Sequence, residues 1–374
     1  VVGSLAMDAN TSGSGNTAVG RAALGTNTTS DDNTAVGFKA LNLNETGTQN
    51  TAVGSNSLDA NTTASNNTAI GFQALSSNST GGSNVAVGRN ALDVNTTAAG
   101  NTAVGTNALG ANTTGAANVA IGNSALLKNI TSSQNTAVGD QALENNTEGL
   151  ANTAIGRRAL EANTTADNNT ACGLQALKVN TTGASNVAVG SNALVANETA
   201  SNNTAVGKGA LESNTTGAQN SALGDSAGDL TTTGSNNTSL GYQADPSSNS
   251  ASNEITLGNS SITAIRCQVQ TISALSDERD KTNIVDSEDG LDLINLLRPR
   301  KFTWAMREPS DNDGKTELGF IAQEIDAALG NKNDYIGAVY KSNPEKLEAS
   351  YGKFVPILVK AVQELTAKVT ALEA

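Results

Sequence analysis

Ser276 and Lys281, five residues apart, are the residues of this chain whose types and spacing could do covalent chemistry. A serine hydroxyl attacks a carbonyl only after losing its proton, and histidine, the commonest base for that task, does not occur in the 374 residues. A lysine of depressed pKa is the base that remains at this spacing, and Lys281 is the candidate. The same residues also read as a Ser-Asp helix cap followed by a solvated charge run, Asp277-Glu278-Arg279-Asp280-Lys281. Types and spacing alone leave both readings open.

Positioning such a pair needs a globular frame, and the sequence supplies one downstream. Residues 277–374 hold seven aromatics, from Phe302 and Trp304 to Tyr351 and Phe354, in a chain that is otherwise poor in them. Residues 290–297 read as a short helix stopped at Arg298-Pro299, 301–304 as a strand, and 317–321 as a second strand running into a helix at 322–329. The acidic loop 309–314 joins the strands; its carboxylates lack the spacing of a calcium loop and read as a solvated turn. Val355, Leu358, Val362, Leu365, Val369 and Leu372 recur at alternate steps of three and four, a heptad seam that predicts a coiled-coil helix over 355–374.

Four motifs stand in order in this region. They are Ser276-Asp277 with Lys281; Leu296-Leu297-Arg298-Pro299-Arg300-Lys301-Phe302-Thr303-Trp304; Leu318-Gly319-Phe320-Ile321-Ala322-Gln323-Glu324-Ile325; and Tyr351 followed by Ala361-Val362-Gln363-Glu364-Leu365. Together they resemble the endosialidase-type intramolecular chaperone domain, also classed as the S74 peptidase family, over about the last hundred residues. The resemblance implies a trimeric α+β domain that guides folding and then undergoes a single self-cleavage. It carries a Ser–Lys pair onto Ser276 as nucleophile and Lys281 as base, with the broken bond beside the serine, Leu275–Ser276 or Ser276–Asp277. No cofactor and no metal enter this reading.

Upstream, the grammar is repetition. Asn-Thr-Ala-Val-Gly and its variants start at Asn16, Asn33, Asn50 and so on to Asn237, always 17 residues apart, and the glycine position extends from Gly3 to Gly258. Each period has an apolar slot at the Val (Val19, Val36, Val104, with Cys172 in one coil) and a Leu five residues later (Leu24, Leu109, Leu211). About two apolar residues per coil are too few to enclose a core alone, so stacked coils about 4.8 Å apart must join them into stripes that bury against other chains. The glycine marks a bend, and the Asn at the twelfth position, such as Asn61 or Asn112, is a turn residue whose side chain can bond along the stack. That ladder also explains the many Asn-x-Thr triplets without any sugar. The pattern resembles the coils of trimeric autotransporter adhesin heads and of phage-fibre shafts.

The expected fold is therefore mainly β: a trimeric parallel β-solenoid or β-roll shaft of 17-residue coils at 1–258, a β neck at 259–275 with alternation in Cys267-Gln268-Val269-Gln270-Thr271-Ile272, and the chaperone domain at 276–374. Cys172 is expected to be a buried, inert thiol, and acids such as Asp31-Asp32, Glu144 and Glu161 to be solubilising surface. The net charge of −13, with no cluster of Lys and Arg, argues against a nucleic-acid partner. No apolar run reaches the length of a membrane span, and Val1-Val2-Gly3 opens inside a repeat, as a fragment would. The function expected is that of a homotrimeric viral tail-fibre or appendage shaft in the virion, made in the host cytoplasm, with a host-cell receptor or glycan and other tail proteins as partners. A cellular surface adhesin is the alternative. A glycan-degrading spike would need a catalytic insertion that the uniform coils lack.

Overall fold

The computed structural model describes residues 1–262, 264–266, 276–305, 314–341, 343–344 and 347–374. The neck alternation at 267–272, Leu275 of the expected cleavage site, and residues 309–313 of the acidic loop lie outside the described residues. Two units are present, Val1–Gly258 and Asn259–Ala374.

In the first unit the 17-residue period becomes a parallel sheet of three-residue strands, β1 (Thr17–Val19) to β15 (Ile255–Leu257), paired in sequence order. Equivalent residues face each other, as in Thr17↔Thr34, Ala18↔Ala35 and Val19↔Val36, and Val2 adds one bridge to Val19. Strand alternation sends the central Ala inward, where Ala103 and its equivalents are fully buried, while the flanking Thr and Val point outward. The rest of each coil is also laddered by backbone bonds, such as Leu109 N–H to Ala125 O at 3.0 Å.

Each coil encloses its own interior, which corrects the expectation that two apolar residues leave it open. The interior is narrow, so Ala103, Ala108 and Leu109 fill it completely within one chain. The leucine reaches it by an unusual route: Leu109 has φ of 51°, and every leucine from Leu24 to Leu211 in this slot repeats the left-handed conformation. That geometry costs a leucine about 1–2 kcal/mol, a cost offset by roughly 1.5–3 kcal/mol from full burial of the side chain. The glycine bend is also structural: Gly105 has φ of +138°, and a Cβ there would lie 2.4 Å from Gly122 O.

Two asparagine ladders complete the interior. At the twelfth position Asn112 is fully buried; its Nδ2 donates to Asn95 Oδ1 at 3.0 Å and to Gly115 O at 2.9 Å, and Asn129 repeats the bond one coil on. The first Asn of the motif forms the second ladder, with Asn118 N–H donating to Asn101 Oδ1 at 2.9 Å. Amides held in this way are out of reach of a glycosylating enzyme in the folded chain. Cys172 departs from expectation: its slot faces outward, and the thiol is free and half-buried.

The second unit is α+β. Helix α1 (Leu291–Ile294) precedes the antiparallel pair β16 (Arg300–Thr303) and β17 (Thr316–Gly319), followed by α2 (Ala322–Leu329) and α3 (Asn333–Ile336). A small hairpin, β18 (Val339–Tyr340) with β19 (Glu348–Ala349), leads to the long helix α4 (Val355–Glu373). Leu293, Ile325, Leu329, Val339, Phe354 and Ile357 form its core. Helix α4 buries Ile357 and Ala361 against its own unit, whereas the six seam residues remain 45% to 87% exposed. Seam and core thus use different faces of one helix.

Candidate functional site

The site is built on a single tight turn. Asp277 holds an extended backbone and its carboxylate accepts from Arg279 N–H at 2.9 Å, capping a 3-10 turn over Glu278–Asp280. The Arg279 guanidinium returns to the same carboxylate, with Nε at 3.0 Å from Oδ1 and Nη2 at 2.6 Å from Oδ2. That pairing holds the Asp277 carboxyl below its ordinary range and the guanidinium above its own. The turn ends at Lys281, which resumes an extended backbone and sends its side chain back to Ser276.

Lys281 Nζ lies 2.6 Å from Ser276 Oγ and 3.3 Å from the Ser276 carbonyl oxygen. The two readings of this stretch therefore apply to different residues: Asp277 is the cap, and Ser276 is left to the lysine. Both Ser276 and Lys281 are exposed in the single chain. A proton on the serine hydroxyl is thus within direct reach of the amine, the geometry that general-base activation of a nucleophile requires.

The frame downstream of the turn uses the motif residues as joints. Glu364 of α4 accepts from Leu291 N–H at 2.8 Å, capping α1 from across the unit. Arg300 of β16 donates through Nε to Glu324 of α2 at 2.9 Å. The Tyr351 hydroxyl accepts from Phe320 N–H at 3.0 Å, and the two rings meet edge to face at 5.3 Å. Sequence reasoning missed one joint: Asp289, nearly buried, accepts from both Lys332 and the Tyr335 hydroxyl, which hold its carboxyl below the ordinary range. Those partners lie more than forty residues away, so no local spacing announces them. Among the described residues no cluster of His, Cys, Asp or Glu could hold a metal ion, and no helix is long and apolar enough to cross a membrane.

The family model for the chaperone of endosialidase, Peptidase S74, matches residues 276–333, beginning at the serine of the pair. The chain is also 50% identical over 64 residues to the uncharacterized protein VP1 of Micromonas pusilla reovirus (isolate Netherlands/2005), a match covering 17% of this chain and 3% of that protein. No solved structure matches the chain. Behind its parallel β-solenoid of 17-residue coils, the chain carries a chaperone-of-endosialidase domain of the peptidase S74 family.

Proposed function

We propose that this chain forms a homotrimeric viral appendage shaft for host attachment, folded by its C-terminal domain and then separated from it by one self-cleavage next to Ser276. The observation that carries this reading is the 2.6 Å contact of Lys281 Nζ with Ser276 Oγ at the first residue of the family match. Two surfaces support the trimer: the exposed seam of α4 and the outward Val column of the solenoid, both apolar and both unpartnered within one chain. A lysine amine takes a proton only in its neutral form, which loss of surrounding water favours. Packing three chains around an exposed pair removes that water, so cleavage follows assembly. The hydroxyl proton passes to Nζ, Oγ attacks the carbonyl of the adjacent peptide bond, the C–N bond breaks as Nζ returns the proton to the leaving amine, and water then hydrolyses the resulting ester to a carboxylate and the serine hydroxyl.

Mass spectrometry and light scattering test the reading together. The wild-type chain should yield a small fragment of 98 residues if the break follows Ser276 (277–374), or 99 if it precedes it (276–374). Ser276→Ala and Lys281→Ala should each stay whole and trimeric. Efficient cleavage in both variants, or a stable folded monomer of the uncleaved chain, would overturn the proposal.

A further inference from the structure

Three of the chain's aromatics lie in the solenoid, and all three occupy the position directly after the bend glycine: Phe38, Phe72 and Tyr242. The core has no use for them there, since this column faces outward and Phe38 and Phe72 are 39% and 49% exposed. Backbone bonds Lys39 N–H to Arg21 O, Asn56 N–H to Phe38 O, Gln73 N–H to Ser55 O and Asn90 N–H to Phe72 O fix the vertical order Arg21, Phe38, Ser55, Phe72, Arg89. With coils stacked about 4.8 Å apart, the two rings stand about 10 Å apart, close to the length of two sugar units in an extended chain.

Charge follows the same column. The solenoid carries eight Lys and Arg against seventeen Asp and Glu, yet six of the eight cations occupy the two positions after the glycine, where only Asp140 and Asp225 are acidic. Arg157 and Arg158 are paired, with Asp140 and Glu161. Among the described residues Arg21, Lys39 and Arg89 form no ion pair, although Asp59 lies within electrostatic reach of Lys39. Arg21 and Lys39 instead rest against the Phe38 ring at 5.3 and 5.7 Å, a weak hold at an exposed site that an anion would displace.

We propose that this strip is a binding site for an acidic polysaccharide lying along the coils, with sugar rings stacked on Phe38 and Phe72 and carboxylates met by Arg21, Lys39 and Arg89. Flat apolar faces with a few placed polar groups are what sugar rings select, and the amides of Asn56, in the coil between the rings, and of Gln73, beside Phe72, can bond sugar hydroxyls. Single-stranded nucleic acid would also stack on aromatic rings, but it needs a continuous cationic groove along its backbone, which three cations in this strip of an acidic solenoid do not supply. The proposal rests on the attachment reading for its biological setting, not for its chemistry.

The test substitutes residues that other coils already carry at the same positions, so that the fold is retained. Phe38→Ser/Phe72→Ser copies Ser55 and Ser191, and Arg21→Ser/Arg89→Ser does the same for the cations. Calorimetric titration of the full chain uses an oligosaccharide alternating uronate and neutral sugars, a neutral oligosaccharide of equal length, and oligo-dT. The wild type should bind the uronate probe at least tenfold more tightly than the other two. The aromatic double variant should lose at least tenfold in affinity, and the arginine double variant should lose most of its salt dependence. No uronate binding by the wild type, unchanged affinity in the aromatic variant, or tighter binding of oligo-dT would overturn the site. Adsorption to host cells separates the two readings: adsorption that survives the aromatic substitutions rejects the strip and leaves attachment standing. Wild-type chain that binds the uronate probe but no cells rejects attachment and leaves the strip.

Discussion

Asn112 shows how much one side chain contributes to a coil. Replacing it with Ala leaves Asn95 Oδ1 without its donor in the buried interior and takes one bond each from Gly115 O and Asn129 Nδ2, which keep only Asn101 Nδ2 and Ser132 O. Asn112→Ala should therefore cost about 3–5 kcal/mol in denaturant titration, while Thr114→Ala on the exposed surface of the same coil should change stability by less than about 0.5 kcal/mol. A second residue makes stability depend on pH. Burial, opposed by a bond from Leu230 N–H and aided by the neighbouring Asp229, pushes the Asp245 carboxyl up to about 6. Because its folded value lies above that of an unfolded aspartate, about 3.9, the folded chain holds this proton more tightly. Its contribution is therefore full below about pH 4, declines as pH rises to about 6, and is absent above that. Asp245→Asn should raise the melting temperature at pH 7.5 by about 1–3 °C, a modest shift because the site is half-buried, and should reduce the difference between pH 5 and pH 7.5. Calorimetry at the two pH values checks both.

At the scale of the element, a three-residue strand divides its roles by alternation. Ala103 points into the coil and Val104 out of it, so the same charge placed one residue apart should fail in different ways. Ala103→Asp puts an unpaired charge inside and should cost about 3 kcal/mol or more, visible as lost coil structure by circular dichroism. Val104→Asp should leave the coil intact and weaken the proposed trimer, visible by mass photometry, whereas Thr106→Asp after the bend should do neither. Equal loss of coil structure in the first two would overturn the inward and outward assignment, and an unaltered trimer in Val104→Asp would show that the outward column carries no interface.

The whole molecule faces a problem of register. Coils that repeat every 17 residues offer nearly the same contacts after a slip of one period, so local pairing does not select one alignment of several chains. A separate domain with an unrepeated sequence does, which is the task proposed for residues 276–374. Removing residues 277–374 before folding should give aggregated or misaligned solenoids in sedimentation, while removing them after assembly should not.

The sequence by itself determined the period, the glycine bends, the twelfth-position Asn ladder, the boundaries of α2 and the seam of α4, because each depends on spacing along a regular backbone. It also brought out Ser276 and Lys281, whose five-residue separation a single turn can close. Only the tertiary structure decided what each apolar column faces. Leucines at φ near 50° break the simple alternation that a strand pattern assumes, and a coil narrow enough to be filled by Ala cannot be recognised from side-chain hydrophobicity alone. The same holds for Asp289, whose partners Lys332 and Tyr335 are remote in the chain, and for Cys172, whose slot is apolar by type yet turned to the outside. Spacing specifies periodic backbone, whereas inside and outside are settled only when the coil closes.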